Sequence, residues 1–148
     1  MGAALEEAAL GLEAGDMPIG AVVAGDGDIV ARAHWRASDG LLAHPELVAL
    51  QQAERRHVRL VTTLEPCLLC MAGAMFAFAD SVVFALESPT DGGTSIDDVW
   101  NPAKGSITPY RVPEVERGVR RNESLQLMRT FVERHPAAPF ARWAETLL

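Results

Sequence analysis

The segment His44-Pro45-Glu46 is followed by Pro66-Cys67-Leu68-Leu69-Cys70, and together they offer one imidazole, two thiolates and a nearby carboxylate. Three protein ligands of this kind leave the fourth tetrahedral position of Zn²⁺ open to water, as in catalytic and not structural zinc sites. The metal lowers the pKa of that water toward neutrality. Glu46 is placed to transfer protons without binding the metal. The pattern therefore predicts a zinc-activated water served by Glu46.

The cysteines alone leave other interpretations open. A Cys-x-x-Cys motif could be a thioredoxin-like redox pair or one half of a structural zinc site. A structural site of four cysteines is excluded, because the chain contains two cysteines. A redox pair would leave His44, Glu46 and Pro66 unexplained. The complete pattern resembles that of zinc nucleobase deaminases and therefore favours a catalytic zinc site of that kind.

The composition predicts one compact domain over residues 1–148. The chain has 148 residues, of which 49% are hydrophobic, enough for a substantial core. No apolar stretch reaches the roughly 18 residues of a membrane span, and residues 1–10 lack the basic start of a secretory signal. Two cysteines suited to metal binding indicate the reducing cytoplasm.

The charge balance bears on the partner. The net charge of −7 disfavours a polyanion such as nucleic acid, because proteins that grip a phosphate backbone gain affinity from basic surfaces. A local basic surface remains open, since arginines are concentrated near the C-terminus at Arg117, Arg120, Arg121, Arg129 and Arg134.

The order of predicted elements indicates an α/β domain of three layers, with helices on both faces of a sheet. We predict helices over residues 3–14, 45–56 and 67–78, a helical pattern within 113–135 and a short helix in 139–148. We predict strands over 19–24, 29–34, 58–63 and 82–86, with a hairpin turn at Gly25-Asp26-Gly27-Asp28. Residues 88–109 have the length and composition of a lid or binding loop.

Both metal-binding segments begin predicted helices that can lie side by side. Cys67 and Cys70 are three residues apart and project from one helical face. Their position near a helix N-terminus favours the thiolate form. The arrangement is consistent with one shared zinc ion.

Longer stretches give the chain a family resemblance. Met17-Pro18-Ile19-Gly20-Ala21-Val22-Val23, the His44-Pro45-Glu46 segment and Thr63-Leu64-Glu65-Pro66-Cys67-Leu68-Leu69-Cys70-Met71-Ala72-Gly73-Ala74-Met75 resemble the cytidine deaminase superfamily. Within it, they are similar to the branch of guanine deaminases and tRNA adenosine deaminases. Residues 117–131 are similar to the closing helix of the tRNA enzymes, whereas residues 139–143 look more like the end of bacterial guanine deaminases.

The resemblance implies a cytidine-deaminase-like α/β/α domain with a central mixed sheet. It also implies one Zn²⁺ held by His44, Cys67 and Cys70, proton transfer by Glu46, and a homodimer. The apolar helix over residues 67–78 gives the dimer a physical basis, because its large side chains are too many to bury easily against one sheet: Met71, Met75, Phe76 and Phe78.

Two positions depart from the family pattern. This branch usually places an asparagine at the end of the second strand to hold the base, and here Trp35 occupies or adjoins that position. Tryptophan can stack on a base but offers only one donor. Pro45 removes a backbone N–H that family members often use to bind substrate. Both changes alter the expected purine-binding scheme and leave the metal chemistry intact.

These features predict hydrolytic deamination of a small aminated nucleobase or nucleoside, with an aminopurine favoured. Adenosine in tRNA is the alternative substrate, and a non-catalytic zinc-stabilised binding module is the third possibility. The single lysine, Lys104, and a C-terminal tail over 136–148 that could cover the site favour a closed small-molecule pocket. Candidate substrate-binding residues, for each of which simple packing or a solvated turn is the competing interpretation, are Trp35, Asp97, Asp98, Trp100 and Phe140.

Overall fold

The computed structural model describes residues 1–100 and 107–148, so Lys104 lies outside the described residues. Among the residues described, no helix has the length and apolar character needed to cross a membrane. The helices are α1 (Gly2–Glu13), α2 (Pro45–Ala53), α3 (Leu68–Phe76), α4 (Ile96–Val99), α5 (Arg121–Arg134) and α6 (Ala141–Ala144). The strands are β1 (Gly20–Gly25), β2 (Asp28–His34), β3 (Arg59–Leu64), β4 (Ser81–Leu86) and β5 (Glu114–Glu116).

One sheet with the strand order β2-β1-β3-β4-β5 runs through the protein. The β1 strand pairs antiparallel with both β2 and β3, whereas β3–β4 and β4–β5 are parallel. The predicted central mixed sheet is therefore confirmed. The carboxyl ends of neighbouring parallel strands lie at one edge, which is where open α/β sheets commonly place their sites.

Helices cover both faces of this sheet. On one face, Ala49 of α2 and Met71 of α3 pack with Val23 and Leu60 of the central strands. Side chains of a strand alternate between faces, and residues one position along contact the opposite layer, where Val61 packs with Ala4 of α1. The α5 and α6 helices complete this second layer around Met128 and Phe131. The predicted three-layer α/β/α architecture is confirmed.

Backbone conformation explains where α2 begins and where α2 and α3 end. Pro45 is the first residue of α2, where its missing N–H has no helical partner to lose. The predicted extension to residue 56 does not form, because Glu54 adopts a left-handed conformation with φ of 48°. The α3 helix ends at Phe76, and Phe78 is likewise left-handed.

The segment between β4 and α5 contains structure that the sequence pattern did not reveal. The three-residue strand β5 adds a parallel edge to β4, and the helical pattern within 113–135 becomes a helix only from Arg121. Glu114 and Glu116 are exposed while Val115 is half-buried. Such a short, charged strand is typical of a sheet edge.

The apolar residues of α3 divide between the core and the surface. Met71 and Met75 are 0% and 4% exposed, whereas Phe76 is 62% exposed, so the chain buries only part of the large apolar set expected to exceed one sheet. Phe78 is half-buried under the Arg56 guanidinium, 4.7 Å from the ring centroid. The exposed face of the helix carries Leu68, Leu69 and Phe76 instead.

Candidate active site

The N-termini of α2 and α3 bring the motif side chains together. His44 immediately precedes α2, Cys67 immediately precedes α3, and Cys70 lies in the first turn of α3. The helices approach closely because Gly73 of α3 lies against Leu47 of α2, where an added Cβ would be 2.3 Å from the leucine Cδ2. A small residue at this position keeps the two helix starts side by side.

The distances between the potential ligand atoms fit one tetrahedral metal ion. His44 Nδ1 lies 3.5 Å from Cys67 Sγ and 3.3 Å from Cys70 Sγ, and the two sulfur atoms are 3.6 Å apart. Zinc bonds of about 2.0 Å to nitrogen and 2.3 Å to sulfur, at tetrahedral angles, separate such atoms by about 3.5–3.8 Å. The donor set and its spacing therefore fit zinc, and these three residues are a possible metal-binding group in the part of the chain that the structure describes.

The electrostatics of the cluster favour a thiolate at Cys67 and a neutral thiol at Cys70. The hydrogen bond with Cys70 lowers the pKa of Cys67 to about 4, with a further contribution from His44. The pKa of Cys70 is raised, first by the same hydrogen bond and then by burial. The pKa of His44 is raised chiefly by its hydrogen bond with Cys67. Two thiols this close disfavour double ionisation, and a divalent cation between them reverses that preference.

The Glu46 carboxylate lies beside this cluster and is almost fully buried, with 4% exposure. Its Oε1 accepts a hydrogen bond from Thr62 Oγ1 at 2.7 Å, and its Oε2 lies 3.5 Å from Cys70 Sγ. Burial raises the pKa of Glu46, while the hydrogen bond from Thr62 opposes that effect. A carboxyl group of raised pKa beside a metal site is suited to accept and return a proton near neutral pH.

A glycine-containing loop after β4 supports the start of α3. The Gly93 N–H donates to the Pro66 carbonyl at 2.7 Å. A Cβ on Gly93 would lie 2.4 Å from the Leu68 nitrogen, so the backbone contact requires glycine. Glu65 reinforces the connection by accepting from Thr94 Oγ1 at 2.5 Å and from Ser88 N at 3.0 Å. The loop thus fixes the backbone that carries Cys67.

A cavity of about 730 Å³ opens over the cluster and has His44, Glu46, Cys67 and Cys70 in its lining. Its other walls are largely apolar. These walls come from the segment before β1, the residue after β2, the end of β3 and the C-terminal tail. Their apolar residues are, in that order, Met17 and Ile19; Trp35; Leu64; and Pro139, Phe140 and Trp143. Apolar clefts of this size with a few convergent polar groups are typical small-molecule sites.

Trp35 and Phe140, two of the candidate substrate-binding residues, line the cavity. Their rings meet edge to face with centroids 5.6 Å apart. The backbone N–H of Trp35 donates to the Ile19 carbonyl at 2.9 Å, which fixes the backbone just after β2. Pro45 also lines the cavity, so the wall lacks a backbone donor there. The C-terminal tail contributes Pro139, Phe140 and Trp143 to the lining of the cavity.

Asp97, Asp98 and Trp100 are not among the residues that line this cavity. The acidic pair belongs to the short helix α4 and borders a second, polar cavity of about 430 Å³. The acidic residue that lines the first cavity in the late loop is Asp91, whose Oδ1 accepts hydrogen bonds from Ser88 and Thr90. The adjacent Gly92-Gly93 pair, a signal of close backbone approach, could have identified it.

Of the five arginines near the C-terminus, Arg117, Arg120 and Arg121 make local contacts, whereas Arg129 and Arg134 are exposed. Arg120 pairs with Glu123, and Arg121 pairs with Glu87 at 2.7 Å. Arg117 donates to Thr94 at 3.2 Å. These contacts compensate much of the charge that a basic groove would require.

Comparison with known proteins places this site in a family. The model of the cytidine and deoxycytidylate deaminase zinc-binding region matches residues 1–86. A tRNA-specific adenosine deaminase of Streptococcus pyogenes serotype M1 is 29% identical over 137 residues, covering 86% of this chain and 78% of that protein.

Two solved structures share the fold. One, from a study of A-to-I editing by tRNA:A34 deaminases, is 30% identical with a TM-score of 0.72 and covers 86% of this chain and 96% of its own. The other, guanine deaminase from Nitrosomonas europaea, is 22% identical with a TM-score of 0.68 and covers 88% and 81%. The chain therefore belongs to the zinc-binding cytidine and deoxycytidylate deaminase family, whose members are hydrolases acting on C–N bonds.

Proposed function

We propose that this enzyme deaminates a small aminated nucleobase or nucleoside, with an aminopurine favoured, and releases ammonia. The observation that carries this proposal is the composition of the cavity over the cysteine–histidine cluster. Among the described residues that line it, none is a lysine or an arginine, and three carry large aromatic rings: Trp35, Phe140 and Trp143. Aromatic walls suit a flat heterocycle, whereas the described lining offers no lysine or arginine to bind a phosphate.

In this proposal, His44, Cys67 and Cys70 hold the zinc ion. When bound, zinc supplies a water molecule of lowered pKa. Glu46 accepts a proton at Oε2, the oxygen nearer to Cys70, and delivers protons to the ring nitrogen and the departing amino group. One carboxylate can serve both steps because protons are released and needed on the same side of the ring.

The walls of the cavity supply the binding contacts in this proposal. The ring of the substrate lies against Trp35 and Phe140, which exclude water from the reacting carbon. Asp91 takes the acceptor role first assigned to Asp97 and Asp98, since it lines the cavity and they do not. Its carboxylate accepts hydrogen bonds from an amino or imino group on the far edge of the base.

Adenosine in tRNA is the second candidate substrate. The names of the Streptococcus relative and of the tRNA:A34 deaminase structure favour it. Such an enzyme must hold a polyanion outside the pocket, and here Arg120 and Arg121, at the start of α5, are paired with glutamates. We therefore keep the small heterocycle as the main proposal. Both free cysteines fit the reducing cytoplasm as the site of action.

We also propose a homodimer built on the exposed face of α3. Leu68 and Phe76 are 59% and 62% exposed, and lie on one side of the helix. Contiguous exposed apolar residues of this kind mark interaction sites. The family resemblance makes a second copy of the chain the expected occupant.

We predict one zinc ion per chain, lost in a Cys67→Ala, Cys70→Ala double variant because two of three ligands are gone. Elemental analysis of the purified, dialysed protein measures this. His57→Ala is the matched control, since this exposed histidine pairs with Asp80 and is outside the metal-binding group, so that its removal leaves the zinc content unchanged. Stoichiometric zinc in the double variant would refute the ligand assignment.

We predict that Glu46→Gln retains the fold and zinc but lowers kcat by about 10²–10⁴-fold, because an amide cannot transfer the proton. Glutamine still offers an oxygen to Thr62, so packing is preserved. Ammonia release at saturating substrate measures the effect. Turnover within twofold of the parent enzyme would show that another group transfers the proton. It would also be the outcome expected of a non-catalytic zinc module.

We predict ammonia release from at least one of adenine, guanine, cytosine, adenosine, guanosine and cytidine, with little dependence on salt. A phosphate-binding enzyme would instead lose activity steeply as ionic strength rises. A tRNA anticodon stem-loop assayed for inosine is the competing substrate. Efficient editing of that RNA, with all six small molecules inert, would establish the tRNA alternative.

The same assay tests the cavity walls. Trp35→Ala and Phe140→Ala should each raise KM about tenfold, because each removes a surface on which the base stacks. Trp100→Ala is the matched control, since this tryptophan does not line the cavity. Equal effects of all three substitutions would indicate a general loss of packing and contradict the assigned contacts.

We predict a dimeric mass by light scattering at micromolar concentration, and dissociation of the dimer by Phe76→Asp. A buried charge without a partner strongly disfavours the interface. Leu10→Asp on α1, at a leucine that is 55% exposed, controls for the added charge. A monomeric parent protein would rule out this assembly.

A further inference from the structure

Thr62 is a buried residue of β3 that belongs to no recognised motif. Its side chain is fully enclosed, with 0% exposure, and its hydroxyl donates to Glu46 Oε1 at 2.7 Å. It sits opposite Ala21 of β1 and Phe84 of β4 in the middle of the sheet. The hydroxyl is therefore held by a buried strand that is paired on both sides.

The buried position of the Thr62 hydroxyl restricts the hydrogen-bond partners that it can reach. A buried hydroxyl must use its hydrogen, and the charge-assisted bond to a carboxylate is among the stronger ones available. The β-branched side chain of threonine also has restricted χ1 freedom. Glu46 Oε1 is thus tied to the sheet, while Oε2 lies 3.5 Å from Cys70 Sγ.

We propose that Thr62 is a positioning residue, which fixes the Glu46 carboxylate so that Oε2 faces the His44, Cys67 and Cys70 cluster. This inference rests on the proposed function, in which Glu46 transfers protons. Without the tether, the glutamate side chain can rotate between orientations and presents the reactive oxygen only part of the time. Misplacement of a reacting group on the ångström scale is costly in rate.

The kinetic test compares Thr62→Val, which keeps the shape and removes the hydroxyl, with Thr62→Ser, which keeps the hydroxyl. The assay uses whichever of the six small molecules named above gives the fastest ammonia release. We expect Thr62→Val to lower kcat about 10–100-fold, the range for losing a hydrogen bond to a charged group, with KM and zinc content within twofold. Thr62→Ser should recover kcat to within about threefold. Unchanged kcat in the valine variant, or no recovery with serine, would overturn the proposal.

Thr63→Val is the matched control on the adjacent residue. Thr63 is equally buried, but its hydroxyl faces the other layer and accepts from Gly20 N at 3.0 Å. This variant should lower the melting temperature and leave kcat unchanged. A fall in kcat equal to that of Thr62→Val would assign the effect to general loosening of β3 and refute the positioning role. If Glu46→Gln is inactive and Thr62→Val is fully active, only the positioning inference fails, whereas an active Glu46→Gln overturns the proposed function itself.

A second readout needs no substrate. In chelator-treated protein, the melting temperature is compared among the parent, Thr62→Val, Glu46→Ala and the double variant. If the hydroxyl and the carboxylate are partners, Thr62→Val lowers the melting temperature clearly in the parent and much less in the Glu46→Ala background. Additive shifts would show that the two side chains are not coupled and would overturn the inference.

Discussion

The approach of two helix N-termini at the carboxyl end of β3 is the constraint on which the site depends. It places His44 Nδ1 and both sulfur atoms within 3.3–3.6 Å of one another. Gly73 permits the helices to meet, and Gly93 permits the loop after β4 to pass directly behind Cys67. A side chain at Gly93 would press on the backbone of Cys67 and Leu68, whereas one at Gly73 would require the Leu47 side chain to shift. The positive ends of the helix dipoles further favour the anionic groups gathered there.

The sheet contributes to the chemistry as well as to the core. Successive residues of β3 point to opposite layers, so that Thr62 reaches Glu46 while Thr63 accepts from Gly20 in the other layer. The catalytic carboxylate in our proposal is therefore anchored through a central strand and not through a loop. The opposite wall of the cavity comes from the residue after β2 and from the C-terminal tail, where Trp35 and Phe140 meet. The proposed proton-transferring group and the proposed binding wall are thus carried by separate parts of the fold.

Local patterns in the sequence were sufficient to predict most of this architecture. The metal-binding residues, the helices that they begin and the alternating strands all depend on neighbours a few positions away. Contacts between distant segments were less accessible. The strand at Glu114–Glu116 exists because β4 offers an edge to pair with, and its own composition gives no strand signal. Asp91 and Thr62 acquire their significance only from residues that folding brings beside them, and Asp97 and Asp98 lose theirs for the same reason.

The central claim is that one histidine and two cysteines hold zinc with the fourth position open toward the cavity. X-ray absorption at the zinc edge tests it most directly, because the spectrum reports the number and type of bound atoms. The account predicts two sulfur atoms at about 2.3 Å, one imidazole nitrogen and one further light atom at about 2.0–2.1 Å. A shell with four sulfur atoms, with two imidazoles or without sulfur would contradict it.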